Sequence, residues 1–236
     1  MTWQVKCLRD FKLYAVTDIR EYDLKIIRQI EQALIGGTDV IQLRSKMLSD
    51  VELLDLAKRI YKITRKLKKL FMMNDRVDLA LAAGADGVHI GQEDLPIHTV
   101  RKLMGNQRKI IGVSTRNIKQ AIAAEAAGAD YIGFGPLFGT PTKPGYQPAG
   151  LRQIHEVVNR VRIPVVCIGG INLQNVDTVL EAGANRIAVV RAIFSAKNPR
   201  AAAEKLRAKL DNLASSYCHS RMFSLGKKGP APAFPG

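Results

Sequence analysis

The stretch MMNDRVDLALAAGADGVHIGQED, residues 72–94, contains the pattern that decides the fold. An apolar run ends at Asn74 and Asp75, a helical segment follows, and the turn AGAD leads into a second apolar run that ends at Ile90. Short apolar runs bounded by turn residues predict buried strands. The stretch is therefore a strand–helix–strand unit, and a carboxylate follows each strand because Asp94 lies four residues beyond Ile90.

The second half of this unit recurs along the chain. GGTDVIQL, AGADGVHI, AGADYIGF and AGANRIAV each follow a helical pattern and lead into an apolar run. Glycine suits the left-handed residue that ends a helix, and Asp or Asn suits the turn into the strand. The residues concerned are Gly37, Gly84, Gly128 and Gly183, followed by Asp39, Asp86, Asp130 and Asn185. Two βα steps used four times indicate a repeated architecture.

Eight short apolar runs predict the strands. They cover residues 13–18, 40–45, 70–74, 87–90, 109–114, 131–135, 164–169 and 186–190. Strands that alternate with helices indicate parallel βαβ units. Eight units in one chain of 236 residues predict a single α/β domain, a (β/α)₈ TIM barrel over residues 1–214. A doubly wound open sheet is the alternative.

The remaining segment, residues 215–236, has a different composition. The helical pattern ends after Leu213, and the following residues are rich in Gly, Pro, Ser and basic side chains. Such segments bury too little apolar surface to fold. We therefore predict a disordered tail after the barrel.

The net charge of +15 raises the question of nucleic-acid binding. Much of the charge lies in KRIYKITRKLKKL, residues 58–70, where Leu56, Ile60, Ile63 and Leu67 recur at helical spacing. The basic residues then cover the solvated face of a helix, and no aromatic platform accompanies them. We expect small anionic molecules rather than nucleic acid as partners.

No apolar stretch approaches the length that spans a bilayer, and the N-terminus lacks the apolar core of a signal peptide. These features predict a cytoplasmic protein without a membrane partner. The sequence leaves the oligomeric state open, a homo-oligomer included.

Asp75 and Asp94 follow strands three and four of the predicted barrel. The carboxyl ends of all strands meet at one mouth in this fold, so we expect the two carboxylates to face each other. Two hard oxygen ligands suit Mg²⁺, which keeps several waters and shares its shell with substrate phosphate. The alternative is that Asn74 or Asp75, and separately Asp94, simply caps the helix that follows.

Strand two leads into Gln42, Arg44 and Lys46, which share one face if the strand continues that far. Two cations and an amide that point into a barrel mouth require an anion to offset their desolvation. The guanidinium of Arg44 offers a planar fork to phosphate oxygens, whereas Lys46 offers a mobile point charge. This set predicts a bound anion such as a phosphate, and a solvated strand end is the alternative.

Further polar residues follow strands five and six. Strand five ends at Ser114, and strand six runs into FGPLFGTPTKPG, residues 134–145. Thr140, Thr142 and Lys143 there form either a phosphate cradle stiffened by prolines or an ordinary turn.

Strands seven and eight end in Gly169–Gly170 and Val190–Arg191, where barrels of this fold frequently bind phosphate. His89 lies within strand four, and we interpret it as a packed interior histidine rather than a general base. The residues at the mouth thus predict two phosphate-like sites and a metal site.

The motifs IQLRSK, MMNDRVDLALAAGADGVHIGQEDLP, GVST, GFGPLFGTPTKP and CIGGIN occur in this order over about residues 11–214, and together they resemble the thiamine-phosphate synthase family. The resemblance implies a (β/α)₈ barrel and a transferase activity. Such an enzyme couples 4-amino-2-methyl-5-hydroxymethylpyrimidine diphosphate to a thiazole phosphate and releases pyrophosphate. The implied mechanism is dissociative: the C–O bond breaks first, and the thiazole nitrogen then attacks a pyrimidine-methyl cation.

The same resemblance implies roles for individual residues. The metal ligands for Mg²⁺ are Asp75 and Asp94. The contacts to the pyrimidine diphosphate are Gln42, Arg44, Lys46, Asn74, Ser114 and Lys143, of which Arg44, Ser114 and Lys143 act in catalysis. The contacts to the thiazole phosphate are Thr140, Thr142, Gly170, Val190 and Arg191. Arg191 stands where the family commonly has a small residue, which leaves its side-chain role open.

Two other readings of the sequence stay open. The related thiazole tautomerase group shares the barrel and the thiazole-phosphate pocket but need not keep the full set of diphosphate contacts. A non-catalytic barrel could instead bind phosphate ligands or nucleic acid through its basic surface.

Overall fold

The computed structural model describes residues 3–105, 107–140, 145 and 147–225. Eight strands in these ranges form a closed barrel in the order β1 to β8, and every neighbouring pair is parallel. The strands are β1 (Leu13–Val16), β2 (Val40–Leu43), β3 (Leu70–Asn74), β4 (Gly87–Ile90), β5 (Ile110–Thr115), β6 (Tyr131–Phe134), β7 (Val165–Ile168) and β8 (Ile187–Val189). Because β8 pairs with β1, for example Ile187 with Leu13, the (β/α)₈ barrel is confirmed and the open sheet is excluded.

Helices connect the strands and bury their apolar sides against the barrel. They are α1 (Trp3–Asp10), α2 (Lys25–Ile35), α3 (Asp50–Leu67), α4 (Val77–Ala83), α5 (Ile97–Leu103), α6 (Ile118–Ala126), α7 (Arg152–Arg160), α8 (Val176–Glu181), α9 (Arg191–Phe194) and α10 (Pro199–Leu225). In α3 the regularly spaced residues Leu56 and Ile60 are fully buried. This agrees with the prediction that the basic residues of the helix cover its opposite, solvated face. In the part of the chain that the structure describes, no helix is both long enough and apolar enough to cross a membrane.

The aspartates of the repeated turns bind the even-numbered strands β2, β4 and β6 to the strand before each. The Asp86 carboxylate accepts the N–H of Phe71 at 2.8 Å, and the Asp130 carboxylate accepts that of Ile111 at 2.8 Å. Asp39 does the same for Leu13 at 3.2 Å. Each carboxylate thus satisfies a donor at the start of the preceding strand. Asn185 differs, because its amide oxygen accepts from the guanidinium of Arg186 instead.

The disordered tail predicted for residues 215–236 stays a prediction, but the last helix is longer than its sequence pattern indicated. The helical pattern was expected to end after Leu213, whereas α10 continues to Leu225. Its last turns contain no Gly or Pro before Gly226, so nothing in their sequence breaks a helix that has already formed. Residues 226–236 lie outside the described residues.

A tight contact inside the barrel depends on Gly112. A Cβ atom at this position would lie 2.1 Å from Cζ of Tyr131 and 2.4 Å from its hydroxyl oxygen. Both tyrosines of the interior, Tyr14 and Tyr131, are 2% exposed and lie beneath the barrel mouth. The Tyr131 ring therefore occupies the space that a side chain at residue 112 would need.

We expect Gly112→Ala to destabilise the protein by about 1–3 kcal/mol, because the added methyl group forces Tyr131 out of its position. Urea unfolding followed by circular dichroism measures the change. Gly139→Ala is the matched control, since a Cβ there meets nothing within 4 Å. A stability loss no larger than that of the control would contradict the packing described for Gly112.

Candidate active site

A cavity of about 650 Å³ opens at the carboxyl ends of the strands. Most of the residues predicted for the site line it. These are Gln42, Arg44, Lys46, Asn74, Asp75, Asp94, Ser114, Thr140, Gly170, Val190 and Arg191. Thr142 and Lys143 lie outside the described residues. The fold thus brings residues from seven of the eight strand ends to one place.

Asp75 and Asp94 meet in this cavity, as their positions after neighbouring strands predict. Lys46 donates to the Asp75 carboxylate, with 2.7 Å between Nζ and Oδ2. Burial raises the pKa of Asp75, the hydrogen bond from Lys46 lowers it, and the hydrogen-bonded Asp94 carboxyl raises it again; the net pKa is above its usual value. A negative charge on Asp75 is therefore disfavoured in this cavity unless a further cation lies beside it.

Neither carboxylate caps a helix, so the alternative interpretation was wrong. The N-cap of α4 is Arg76 and that of α5 is Pro96, and neither makes a side-chain cap. Asp75 instead adopts a left-handed backbone with φ of 59°, a conformation that Asp tolerates better than most residues. Asp94 accepts the N–H of Gly91 at 2.6 Å. Both side chains are thereby aimed at the cavity.

The carboxylate pair fits a hard divalent cation. Within the described ranges, no group of three or more His, Cys, Asp and Glu residues could hold a metal ion. Two carboxylates leave most of a metal's coordination positions to waters and substrate oxygens, which is the arrangement that Mg²⁺ favours. The ammonium group of Lys46 already provides Asp75 with a positive partner in the same place.

Arg44 and Lys46 follow the end of β2 at Leu43, so only Gln42 belongs to the strand. A bridge between Ile19 and Ser45 continues the pairing beyond it. The condition for all three to share one face, a strand that continues as far as Lys46, is therefore not met, because β2 ends at Leu43. All three nevertheless line the same cavity.

The Arg44 guanidinium is held by Asp18, which sequence reasoning missed as a site residue. The two form a salt bridge, and the Arg44 side chain is only 11% exposed. Thr17 supports the same segment, since its hydroxyl accepts the N–H of Arg44 at 2.8 Å and donates to its carbonyl at 3.0 Å. A signal was available: Asp18 is a carboxylate just beyond an apolar run, as is Asp75.

The floor of the cavity carries a row of hydrogen-bonded side chains. Gln42 contacts Tyr14 at 2.7 Å, Tyr14 contacts Tyr131 at 2.9 Å, and Tyr131 contacts Nδ1 of His89 at 2.9 Å. Nε2 of His89 lies 2.9 Å from the hydroxyl of Ser114. His89 is buried, as predicted, but it is also a lining residue. The sequence offered no signal for the tyrosines, which read as apolar strand residues.

The wall formed by β6 and β7 depends on close backbone contact. Leu137 donates its N–H to Ile168, and Phe138 donates to Gly169, at 2.9 and 3.0 Å. A Cβ at Gly169 would lie 2.5 Å from Cα of Pro136. The glycine pair thus lets the loop after β6 pass directly over the end of β7. Arg191 begins α9 on the neighbouring side of the cavity.

The polar lining residues that were not predicted include Gln92, Glu93, Arg116 and Asn172. Gln92 donates to the carbonyl of Ser114 at 2.6 Å. All four belong to loops just after strands. Position after a strand could have marked them as candidates, but residue type alone could not separate them from ordinary loop residues.

Fold and site together define a (β/α)₈ barrel with a charged cavity at its carboxyl-terminal face, where this fold holds its active sites. Residues 13–193 match the family model described as thiamine monophosphate synthase. The chain belongs to that family, as the sequence resemblance predicted.

Individual relatives agree with this assignment. The chain is 45% identical over 198 residues to a thiamine-phosphate synthase of Ruminiclostridium cellulolyticum, covering 84% of this chain and 94% of that protein. It is 44% identical over 209 residues to one of Synechocystis sp., covering 89% of this chain but only 60% of that protein. The chain likewise spans 57% and 53% of two relatives from Prochlorococcus marinus.

A solved structure of thiamine phosphate pyrophosphorylase from Pyrococcus furiosus superposes with a TM-score of 0.77 at 38% identity, covering 86% of this chain and 96% of that one. A 3-hexulose-6-phosphate synthase, at 22% identity and a TM-score of 0.63, shares the fold.

We expect Asp75→Asn to be at least as stable as the wild type in metal-free buffer at pH 7. The raised pKa of Asp75 means that the folded state binds this proton more tightly than the unfolded state does. The stability that Asp75 contributes is therefore complete below its unfolded pKa, about 3.9, and is lost as the pH rises through its folded pKa. Urea unfolding with a chelator at several pH values measures the difference.

Asp78→Asn is the control. The hydrogen bond from Arg76 lowers the pKa of Asp78, so the substitution should change the stability in the opposite direction. That substitution should leave stability unchanged or slightly reduced, since the pair is exposed. A clear loss of stability in Asp75→Asn would show that the Lys46 ion pair outweighs the repulsion.

Proposed function

We propose that the protein is a thiamine-phosphate synthase, a transferase that couples 4-amino-2-methyl-5-hydroxymethylpyrimidine diphosphate to 4-methyl-5-(2-phosphoethyl)thiazole and releases pyrophosphate. The observation that carries the proposal is the meeting of Asp75 and Asp94 with Arg44 and Lys46 in one cavity, in a chain of this family. Adjacent carboxylates and cations suit a diphosphate that binds together with a metal ion.

In this proposal the pyrimidine diphosphate lies on the side of β2 to β5. Asp75 and Asp94 would hold Mg²⁺, and the basic side chains would grip the diphosphate. Its contacts are Gln42, Arg44, Lys46, Asn74, Ser114 and Lys143. The salt bridge with Asp18 supports this role for Arg44, because it holds the guanidinium in one orientation before substrate arrives.

The thiazole phosphate would occupy the other side of the cavity, between the loop after β6 and the ends of β7 and β8. Its contacts are Thr140, Thr142, Gly170, Val190 and Arg191. The close passage of the β6 loop over Gly169 and Gly170 supports a backbone-lined pocket there, as barrels of this fold frequently use for phosphate. The two substrates would then face each other across the mouth.

In the proposed chemistry, the protein acts mainly by stabilising the departing pyrophosphate. Its C–O bond to the pyrimidine-methyl group breaks first, and the thiazole nitrogen then forms the new C–N bond. Arg44, Ser114 and Lys143 stabilise the negative charge that develops on the leaving oxygens. Mg²⁺, when bound, would neutralise part of the same charge. Burial of the cavity floor strengthens these interactions by excluding water.

We expect Asp75→Asn and Asp94→Asn each to lower the rate of thiamine phosphate formation at least about 10²-fold, because each removes a charged ligand from the metal-binding pair. The assay supplies both precursors and Mg²⁺ and quantifies thiamine phosphate and pyrophosphate. A chelator should abolish the activity of the wild type, and added Mg²⁺ should restore it. Asp78→Asn is the matched control, since Asp78 pairs with Arg76 outside the cavity.

Other outcomes would favour the remaining readings of the sequence. Tautomerisation of a thiazole phosphate without coupling would place the chain with the tautomerase group. Salt-dependent binding of DNA or RNA, with no product from the two precursors, would indicate a binding protein. Equal activity of Asp75→Asn and Asp78→Asn would contradict the proposed metal site.

A further inference from the structure

The polar row on the cavity floor crosses the barrel from side to side. Its five members come from five different strands, β2, β1, β6, β4 and β5 in that order. The members are Gln42, Tyr14, Tyr131, His89 and Ser114, and the four links between them measure 2.7, 2.9, 2.9 and 2.9 Å. All but Ser114 are at most 9% exposed. The row is therefore a continuous chain of hydrogen bonds on the floor of the cavity.

The direction of this chain follows from counting hydrogens. Nε2 of Gln42 can only donate, so the Tyr14 hydroxyl accepts there. Among the described residues, the single hydrogen of Tyr14 has no acceptor other than the hydroxyl of Tyr131, and we assign it to that contact. The Tyr131 hydroxyl accepts that hydrogen bond and gives its own hydrogen to Nδ1 of the next residue, His89. Burial raises the pKa of both tyrosines, so each phenol keeps the hydrogen that this count needs.

His89 therefore accepts at Nδ1 and carries its proton on Nε2. That proton is donated to the hydroxyl oxygen of Ser114, so Ser114 acts as an acceptor within the chain. Its own hydrogen is not used by any other group in the described part of the protein, and Ser114 lines the cavity. The chain consequently leaves one O–H group available at its open end.

We propose that Tyr131 is a positioning residue: through His89 it orients the Ser114 hydroxyl so that its hydrogen is donated to a substrate oxygen in the cavity. The contribution to catalysis rests on the proposed function, because the accepting oxygen would belong to the departing pyrophosphate. The tautomer assigned to His89 does not depend on the proposed function. Tyr131 itself touches His89 and Tyr14 rather than the reacting atoms.

Packing holds the chain in this arrangement. Gly112 leaves room for the Tyr131 ring, and a Cβ at Gly133 would lie 3.2 Å from Cε1 of His89. The Tyr131 ring also lies edge-on to Phe11, with 6.1 Å between centroids, and Phe11 has the same arrangement with Tyr14 at 6.2 Å. The two tyrosines therefore share burial and ring contacts, and they differ in which one touches His89.

Long-range proton–nitrogen NMR spectra of the histidine rings in the substrate-free protein test the assignment. The chain has 4 histidines, and the His89 signals are identified by their loss in His89→Asn. We expect a single Nε2–H tautomer in the wild type. Tyr131→Phe should replace it with a mixture of tautomers, because Nδ1 loses its donor. Tyr14→Phe, the matched control, should keep the single tautomer, because Tyr131 still donates to His89.

Steady-state kinetics test the link to Ser114. We expect Tyr131→Phe to lower kcat about tenfold, less than the 10²–10³-fold expected for removing the donor in Ser114→Ala, with KM for both substrates within about twofold of the wild type. The double variant should be no slower than Ser114→Ala alone, because Tyr131 acts only through Ser114.

An Nδ1–H tautomer in the wild type, or an unchanged tautomer in Tyr131→Phe, would overturn the inference. So would multiplicative rate losses in the double variant. If the wild type forms no thiamine phosphate, the proposed function fails, but the NMR result still decides the state of His89.

Discussion

Closure of the parallel barrel is the constraint on which the rest of this structure depends. Once β8 pairs with β1, all eight strands point the same way and no sheet edge is left open. Every carboxyl end then opens onto the same rim. Residues as distant in sequence as Arg44 and Arg191 line one cavity for this reason, and no single loop has to supply a complete site.

The two rims of the barrel have different roles. At the amino-terminal rim, the aspartates of the repeated turns bind the first N–H groups of neighbouring strands and pair with basic side chains. Asp39 pairs with Lys69 and Arg207, and Asp86 pairs with Arg65. These ion pairs also account for part of the high basic content. At the opposite rim, ion pairs such as that between Lys46 and Asp75 line the cavity.

The interior between the rims is not purely apolar. Burying two tyrosines, a glutamine and a histidine would cost stability if any polar atom lacked a partner, and the chain from Gln42 to Ser114 supplies those partners in sequence. A chain with every link satisfied has a direction. The floor of the cavity is thus a fixed set of donors and acceptors rather than a neutral surface, and it presents that set to whatever binds above it.

Periodicity and turn chemistry are local properties, so they were enough to predict the strand count and the turns that begin at Gly37 and Gly84. The barrel that they imply then predicted the meeting of Asp75 with Asp94. The sequence pattern missed the role of Asp18 and the continuation of α10 past Leu213. Which side chains meet inside the barrel could be seen only in the folded protein. Tyr14 and Tyr131 are 117 residues apart, and Tyr131 and His89 are 42 apart. A strand pattern indicates that a side chain is buried. Which side chain it contacts depends on how the barrel closes.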